Sequence, residues 1–260
     1  SDFPRTVKLA DNVYGYEDIR QPGFTTVSMF VVGTDGVLLA DGQGSVEATK
    51  KLVDAIAKVT PKPIKWYVVG SDHGDHTAGN AALPKDVKYI VTPFSKGQMK
   101  IDVPAMAGDK DVINVGGIEV QALYLGRAHT GGDLVVYLPK QKILFMSEVF
   151  LNRVFPAMRS AYPTEWVGVI DKALKLNVDR FVPGHGFIEE PKASREELIE
   201  YQKALRAVIA EVNRLHKLGL SADDAVKQAK WGPYQEWFLV DQQAPIAVRK
   251  VYEEIEGKLK

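Results

Sequence analysis

The segment Ser71-Asp-His-Gly-Asp-His76 follows at once on the apolar run Ile64-Lys-Trp-Tyr-Val-Val69, which is typical of a buried strand. The 260-residue chain has five histidines, and two of them lie in this segment. Two more, His129 and His185, lie in turn-like sequences farther along. Imidazole is the commonest metal ligand, and His and Asp at alternate loop positions let several side chains converge on one point. We therefore interpret the three segments as parts of one metal site.

Short β-branched runs joined by tight turns surround these segments. Asp35-Gly36 and Gly116-Gly117 each separate two such runs and predict β-hairpins, and the link at 139–142 predicts a third. Ser45 predicts the N-cap of a helix over 46–59. Strands with helices between and after them predict an α/β (α+β) fold of two mixed sheets covered by helices.

The character of the chain changes after about Ser194. Helices are predicted over 196–218, from Ser221 onward and over 244–258. The sequence shows no repeat and no Pro/Gly/Ser linker, so we expect one domain over 1–260, with 191–260 as a helical extension packed on it.

Composition excludes several classes of function. Lys+Arg and Asp+Glu number 33 each, and this balance does not favour nucleic acid as a partner. The chain has no cysteine, so thiolate ligands and a cysteine nucleophile are excluded. No stretch reaches the ~20 apolar residues of a membrane span, so we expect a soluble protein. It would be periplasmic or secreted if a signal peptide has been removed and cytoplasmic otherwise. The oligomeric state is left open.

The histidine segments resemble the motifs of the metallo-β-lactamase superfamily. Residues 71–76 correspond to its His-x-His-x-Asp-His motif, and Gly126-Arg-Ala-His129-Thr130 to its Gly-x-x-His-Thr turn. Glu148 stands at the position of the bridging carboxylate, and His185 in Val182-Pro-Gly-His185-Gly186 stands at that of the last ligand. The resemblance covers most of the chain and implies an αββα sandwich with the site at the loop edge between two sheets.

The resemblance also implies a set of metal ligands: His73, Asp75, His76, His129, Glu148 and His185. Two positions depart from the family pattern. Ser71 replaces the leading histidine, and a hydroxyl is a poor zinc ligand. Glu148 is one methylene longer than the usual aspartate. We therefore expect one firmly bound zinc ion and a second that is weak or absent, with manganese or iron as alternatives.

The implied activity is hydrolysis of a carbonyl bond (lactam, lactone, ester or thioester) in a small-molecule substrate by a metal-activated water. Asp75 would orient the water or accept its proton, and His73 is a candidate general base. The alternative is a non-catalytic binding or scaffold protein with a degenerate metal site, which Ser71 and Glu148 favour.

Neighbouring residues carry further hypotheses. Thr130 and Asp133 flank His129 and are candidates to hold its ring through hydrogen bonds, or simply to form a turn. Phe24 lies in a turn that resembles the flap of the family and is a candidate to cover the substrate. Arg153 and Tyr162 follow Glu148 in a segment that commonly shapes the pocket, and an arginine there is suited to a carboxylate. Solvated surface side chains are the alternative.

Overall fold

The structure, a computed structural model, describes residues 2–260. Among these residues, six strands form the first sheet: β1 (Arg5–Ala10), β2 (Val13–Gln21), β3 (Phe24–Val32), β4 (Val37–Ala40), β5 (Ile64–Val68) and β6 (Lys88–Ile90). They lie side by side in sequence order, antiparallel from β1 to β4 and parallel from β4 to β6. The first sheet is therefore mixed.

The second sheet is mixed as well. Its strands are β7 (Lys110–Val115), β8 (Ile118–Leu123), β9 (Val135–Leu138), β10 (Ile143–Phe145) and β11 (Arg180–Val182). Their order is β11-β10-β9-β8-β7, and only the pairing of β10 with β11 is parallel among the described residues 2–260. Between the sheets, Val31 and Leu38 of the first pack with Val120, Val136 and Phe145 of the second.

Helices cover the outer face of each sheet. They are α1 (Val46–Val59), α2 (Gly74–Thr77), α3 (Pro93–Met99), α4 (Pro163–Leu174), α5 (Pro191–Lys217), α6 (Ala222–Gln228) and α7 (Val240–Ile255). Leu52 of α1 packs with Phe30 outside the first sheet. Ile170 of α4 and Leu205 of α5 pack with Phe181 outside the second. The layers are thus helix, sheet, sheet, helix, and the expected αββα sandwich is confirmed.

Local sequence explains many element boundaries. The predicted hairpins at 35–36, 116–117 and 139–142 are present as β3–β4, β7–β8 and β9–β10. Gly116 and Gly117 have φ of 52° and 94°, which a two-residue hairpin turn requires. The hydroxyl of Ser45 accepts the amide of Ala48 at 3.0 Å and caps α1 as predicted.

The C-terminal helices pack on the second sheet. Residues of α5 and α7 share one apolar cluster with β10 and β11. We propose that 191–260 is a helical extension of a single domain, for which this shared cluster is the support. No helix within residues 2–260 has the length and apolar character needed to cross a bilayer.

The strand order brings the site segments to one edge of the sandwich. The parallel strands β4 and β5 end at the same edge, where the chain continues to Asp41 and Ser71. The parallel strands β10 and β11 end together too, and lead to Glu148 and His185. The amide of Leu134 donates to the carbonyl of Gly70 at 3.0 Å and ties the two sheets at this edge.

Candidate metal centre

The loop after β5 carries three side chains of the site. His73 is the residue before the one-turn helix α2, and Asp75 and His76 lie within it. The amide of His76 donates to the carbonyl of His73 at 3.0 Å and closes the turn. His76 is fully buried, whereas the Asp75 side chain keeps 14% of its surface exposed. The turn therefore directs His76 inward and leaves Asp75 at the wall of a cavity.

Four side chains converge where the two sheets meet. One ligand atom from each of Asp75, His76, Glu148 and His185 lies within 4.8 Å of the others. Glu148 Oε1 is 2.7 Å from Nε2 of His76 and 2.7 Å from Nε2 of His185. Nε2 of His185 is also 2.6 Å from Asp75 Oδ2. The structure thus brings together the aspartate, the paired histidine and the distant histidine of the sequence analysis.

A glycine allows two of the site loops to approach each other. A Cβ atom on Gly184 would lie 2.5 Å from the carbonyl carbon of Ser147 and 3.0 Å from the amide of Glu148. Real Cβ atoms do not come that close to backbone, so only glycine fits here. The contact places His185 beside Glu148.

The outer nitrogen of each buried imidazole faces an oxygen atom away from the cluster. Nδ1 of His185 lies 2.6 Å from the carbonyl oxygen of Thr25, which can only accept, so this nitrogen donates. Nδ1 of His76 lies 3.0 Å from Oδ2 of Asp41. The other oxygen of Asp41 accepts the amide of Gly70 at 2.7 Å. Both rings therefore direct Nε2 into the cluster, the arrangement in which histidine binds a metal.

The charges of the cluster fit a divalent cation. Neutral imidazoles would present Nε2 lone pairs to carboxylate oxygens at 2.6–2.7 Å, which is repulsive. Burial alone would lower the pKa of His185, but Glu148 and Asp75 outweigh burial and raise that pKa to about 9. Burial also opposes protonation of His76, yet Asp75, Asp41 and Glu148 raise its pKa well above the usual value. A metal ion in place of these protons satisfies the same nitrogens and oxygens.

Glu148 spans two candidate ligand positions. Its Oε1 faces His76 and His185, and its Oε2 is 3.4 Å from Nε2 of His129. Burial would raise the pKa of the Glu148 carboxyl, but the imidazoles of His185, His129 and His76 hold it well below its usual value. Burial lowers the pKa of His129 to about 4, so this ring is neutral near pH 7. The extra methylene of Glu148 is thus accommodated, and its two oxygens face different groups.

His73 lies beside His129, at the second candidate ligand position. The His73 ring lies edge-on to His129 with centroids 4.6 Å apart. Its Nε2 is 3.1 Å from the hydroxyl of Ser160. The buried hydroxyl of Ser71 accepts the amide of His73 at 3.3 Å, within its own loop. This position offers His73, His129 and one oxygen of Glu148.

Thr130 and Asp133 bond to each other. Both oxygens of the buried Asp133 carboxyl group accept from Thr130, one from the amide at 2.8 Å and one from the hydroxyl at 2.6 Å. Nδ1 of His129 is buried without a hydrogen-bond partner among the described residues. The pair therefore stabilises the turn that carries His129, and the ring packs edge-on against Trp166, 5.6 Å between centroids.

A cavity of about 320 Å³ opens onto the cluster. Phe24 lines it and stacks on His185 with ring centroids 4.6 Å apart, and Phe238 stacks on the other side of Phe24 at 5.4 Å. One face of the last helix forms a further wall, through the N-cap residue and three side chains at helical spacing: Leu239, Gln242, Gln243 and Ile246.

The structure does not bring two of the substrate-binding candidates to this cavity. The Arg153 guanidinium is bound by Glu197 of α5, with nitrogen–oxygen distances of 2.6 and 2.8 Å. The Tyr162 hydroxyl donates to the carbonyl of Lys260 at 2.6 Å. Arg159 lines the cavity instead. Arg153 and Arg159 lie in the same irregular segment, where no periodicity tells inward from outward side chains.

The sequence analysis missed two residues of the site. Asp41 is fully buried and has φ of 58°. Its carboxylate accepts a hydrogen bond from the hydroxyl of Ser147 and contacts His76. Its signal is an aspartate directly after the buried run of β4. Arg20, near the end of β2, places Nη1 3.3 Å from Asp75 Oδ2. No local pattern distinguishes this arginine from a surface residue.

Comparisons with known proteins show which proteins the chain resembles. The family model described as the metallo-beta-lactamase superfamily matches residues 22–185, more than half of the chain. A metallo-beta-lactamase type 2 of Bacillus cereus is 27% identical over 161 residues, which are 58% of this chain and 63% of the relative. A linear primary-alkylsulfatase of Pseudomonas sp. (strain ATCC 19151) is 23% identical over 262 residues, 77% of this chain and 49% of the relative.

One solved structure shows how far the likeness of fold extends. The sec-alkylsulfatase Pisa1 from Pseudomonas sp. superimposes with a TM-score of 0.77 at 15% identity, covering 96% of this chain and 50% of its own. The chain spans less than two thirds of the length of these curated relatives. Because the superposition covers 96% of this chain, the likeness in fold includes the C-terminal helices as well as the two sheets.

Proposed function

The chain belongs to the metallo-beta-lactamase superfamily, and from this premise we propose that it is a metal-dependent hydrolase that cleaves a carbonyl bond of a small molecule: a lactam, lactone, ester or thioester. The observation that carries the proposal is the convergence of Asp75, His76, Glu148 and His185 beside a cavity of about 320 Å³. Buried carboxylates and imidazoles packed this closely are typical of a metal site.

The proposed resident metal is zinc. Asp75, His76 and His185 would hold one ion firmly, with Glu148 as a fourth ligand. A second ion at His73, His129 and the other Glu148 oxygen would be weak or absent, because the Ser71 hydroxyl is engaged by its own loop. Manganese or iron are alternatives for a donor set rich in oxygen. A bound cation would lower the pKa of a water molecule toward ~7 and polarise the substrate carbonyl.

The protein groups around the cavity have proposed roles of their own. Asp75 is partly exposed to the cavity and would orient the attacking water. His73 would accept a proton at Nδ1 whenever the second metal position is empty, since Ser160 holds its Nε2. Neutral His129 would then donate a hydrogen bond to the developing oxyanion. Phe24 covers the face of His185 and excludes water from it.

A second candidate substrate is a sulfate ester. The observation in its favour is that the sec-alkylsulfatase covers 96% of this chain in fold, whereas a metallo-beta-lactamase from Pontibacter korlensis covers 78%. The guanidinium of Arg159 at the cavity is also compatible with a sulfate group.

The test combines metal analysis with a substrate panel. Purified protein would be assayed for zinc, manganese and iron, and for hydrolysis of a chromogenic lactam, lactones, aryl esters, a thioester and alkyl sulfates. We expect turnover that chelator abolishes and added metal restores. His185→Ala should lower turnover at least ~100-fold. His216→Ala is the matched control, because His216 lies on α5 and contacts Glu256 away from the cavity. It should retain full activity.

Two other outcomes would favour one of the alternative functions over hydrolysis of a carbonyl bond. Turnover confined to alkyl sulfates would support the second candidate. A protein that takes up no metal and stays inert with added zinc or manganese would favour a non-catalytic binding or scaffold protein with a degenerate site.

A further inference from the structure

Arg20 contacts an oxygen that belongs to the ligand cluster. Its Nη1 lies 3.3 Å from Asp75 Oδ2. The same oxygen is 2.6 Å from Nε2 of His185 and 3.6 Å from Nε2 of His76. The guanidinium therefore approaches Asp75 at the atom that points toward the other ligands.

Two cations cannot share this oxygen without cost. A metal ion on Asp75 Oδ2 would lie close to the Arg20 guanidinium, and like charges at such separations repel even where water screens them in part. The Arg20 side chain is about half exposed (48%), so it is free to move, whereas the Asp75 side chain is only 14% exposed. Metal binding should therefore move the arginine rather than the aspartate.

Arg20 also lies near two further carboxylates. It lines a second cavity of about 300 Å³, on whose wall Asp18, Glu47 and Lys51 also lie. Asp18 is two residues before Arg20 on β2, and a β-bulge at Arg20 interrupts the pairing with β3 between Ile19 and Gln21. Neither Asp18 nor Glu47 forms an ion pair within the described part of the chain, residues 2–260. A rotation of the Arg20 side chain would exchange Asp75 for these carboxylates.

We propose that Arg20 is an internal competitor for the metal. In the metal-free protein its guanidinium neutralises Asp75, and metal binding displaces it toward Asp18 and Glu47. The inference rests on the proposed metal site and adds to it the residue that sets the affinity. Metal uptake is then an exchange of one cation for another, and the site binds metal more weakly than its ligands alone would.

The test measures zinc affinity by competition with a chromophoric chelator, in the wild-type protein and in variants. Arg20→Gln removes the competing charge, and we expect zinc to bind roughly five- to tenfold more tightly, a modest gain because the pair is partly screened. Arg20→Lys keeps the charge and should stay nearer to the wild type. Arg159→Gln is the matched control: it removes an equal charge from the same cavity, at a residue with no ion-pair partner in residues 2–260, and should change the affinity less than twofold.

A second measurement follows the displaced side chain itself. The Nε–H NMR signal of Arg20, identified by its loss in Arg20→Lys, should shift when zinc is added to the wild type. In the double variant Asp18→Asn, Glu47→Gln the displaced guanidinium no longer has negative charges to interact with. Zinc should then bind about two- to threefold more weakly. Equal or weaker zinc binding by Arg20→Gln, with its fold retained by circular dichroism, would overturn the proposal, and so would an Arg20 signal that zinc does not move.

The outcomes separate this inference from the proposed function. Tighter zinc binding by Arg20→Gln in a protein that hydrolyses no substrate of the panel would support the competitor role and refute the hydrolase. A wild-type protein that binds no zinc would refute both.

Discussion

Glu148→Asp tests whether the reach of the longer carboxylate assembles the metal site. Glu148 Oε1 is 2.7 Å from Nε2 of both His76 and His185. Aspartate withdraws the carboxylate by one bond, ~1.5 Å, and would leave each distance near 4 Å, too long for simultaneous contact. We expect zinc affinity to fall about 100-fold, which corresponds to roughly 2.7 kcal/mol.

The metal-free variant should remain folded. One buried methylene is lost, which costs about 1 kcal/mol of unfolding free energy, or roughly 2–4 °C in Tm for a chain of this size. Tm would therefore be measured without metal and with saturating zinc. The wild type should gain more from zinc than Glu148→Asp does, because stabilisation by a ligand grows with its affinity.

Glu148→Gln separates reach from charge. The amide keeps the length of the side chain and removes the negative charge that faces His76, His129 and His185. We expect it to weaken zinc binding as well. If Glu148→Asp binds zinc as tightly as the wild type while Glu148→Gln does not, charge alone matters and our reasoning about length is refuted.

Three further predictions concern the surroundings of the cluster. Ser71→His should raise the metal content toward two ions per chain, measured by elemental mass spectrometry, and an unchanged stoichiometry would contradict our account of that position. Burial raises the pKa of the Asp133 carboxyl to about 8, so the folded state binds this proton more tightly than the unfolded state, whose pKa is ~3.9. The unfolding free energy should therefore fall as the pH rises between about 4 and 8, and urea titrations should show a flatter profile for Asp133→Asn. Gly184→Ala should lower the free energy of unfolding, obtained from thermal unfolding, by about 1–3 kcal/mol and should weaken zinc binding, because its Cβ would meet the backbone of Ser147. Gly168→Ala, a helical position with open space around it, should be neutral or stabilising, and equal losses in the two variants would argue against the close approach.

The candidate ligands could be chosen from the sequence because metal chemistry admits few residue types. With four of five histidines in three segments, the sequence itself indicated which loops meet. The hairpins were equally accessible, since Asp35-Gly36 and Gly116-Gly117 have the composition that such turns require.

Helix starts were less accurate. α5 begins at Pro191 rather than at 196, because proline is well suited to the first helical position. α7 begins at Val240 rather than at 244, and Pro245 lies inside it. Because proline is typical of the first turn of a helix, Pro245 indicates a helix start one turn later than the observed one.

Residues that join the site from distant parts of the sequence were not predictable. Asp41 contacts His76 across 35 positions of sequence, and Arg20 contacts Asp75 across 55. An isolated aspartate after a strand, or an arginine near a turn, is common in any soluble protein. Only the packing of one loop against another gives these residues a role.

The wall that α7 contributes has a consequence for how this scaffold can diversify. Its four cavity residues, Leu239, Gln242, Gln243 and Ile246, belong to an element that supplies none of the proposed metal ligands. In the proposed hydrolase, these cavity residues and the metal ligands are therefore encoded in separate stretches of the gene. A library randomised at these codons could retune which compounds enter while the inorganic chemistry is inherited intact.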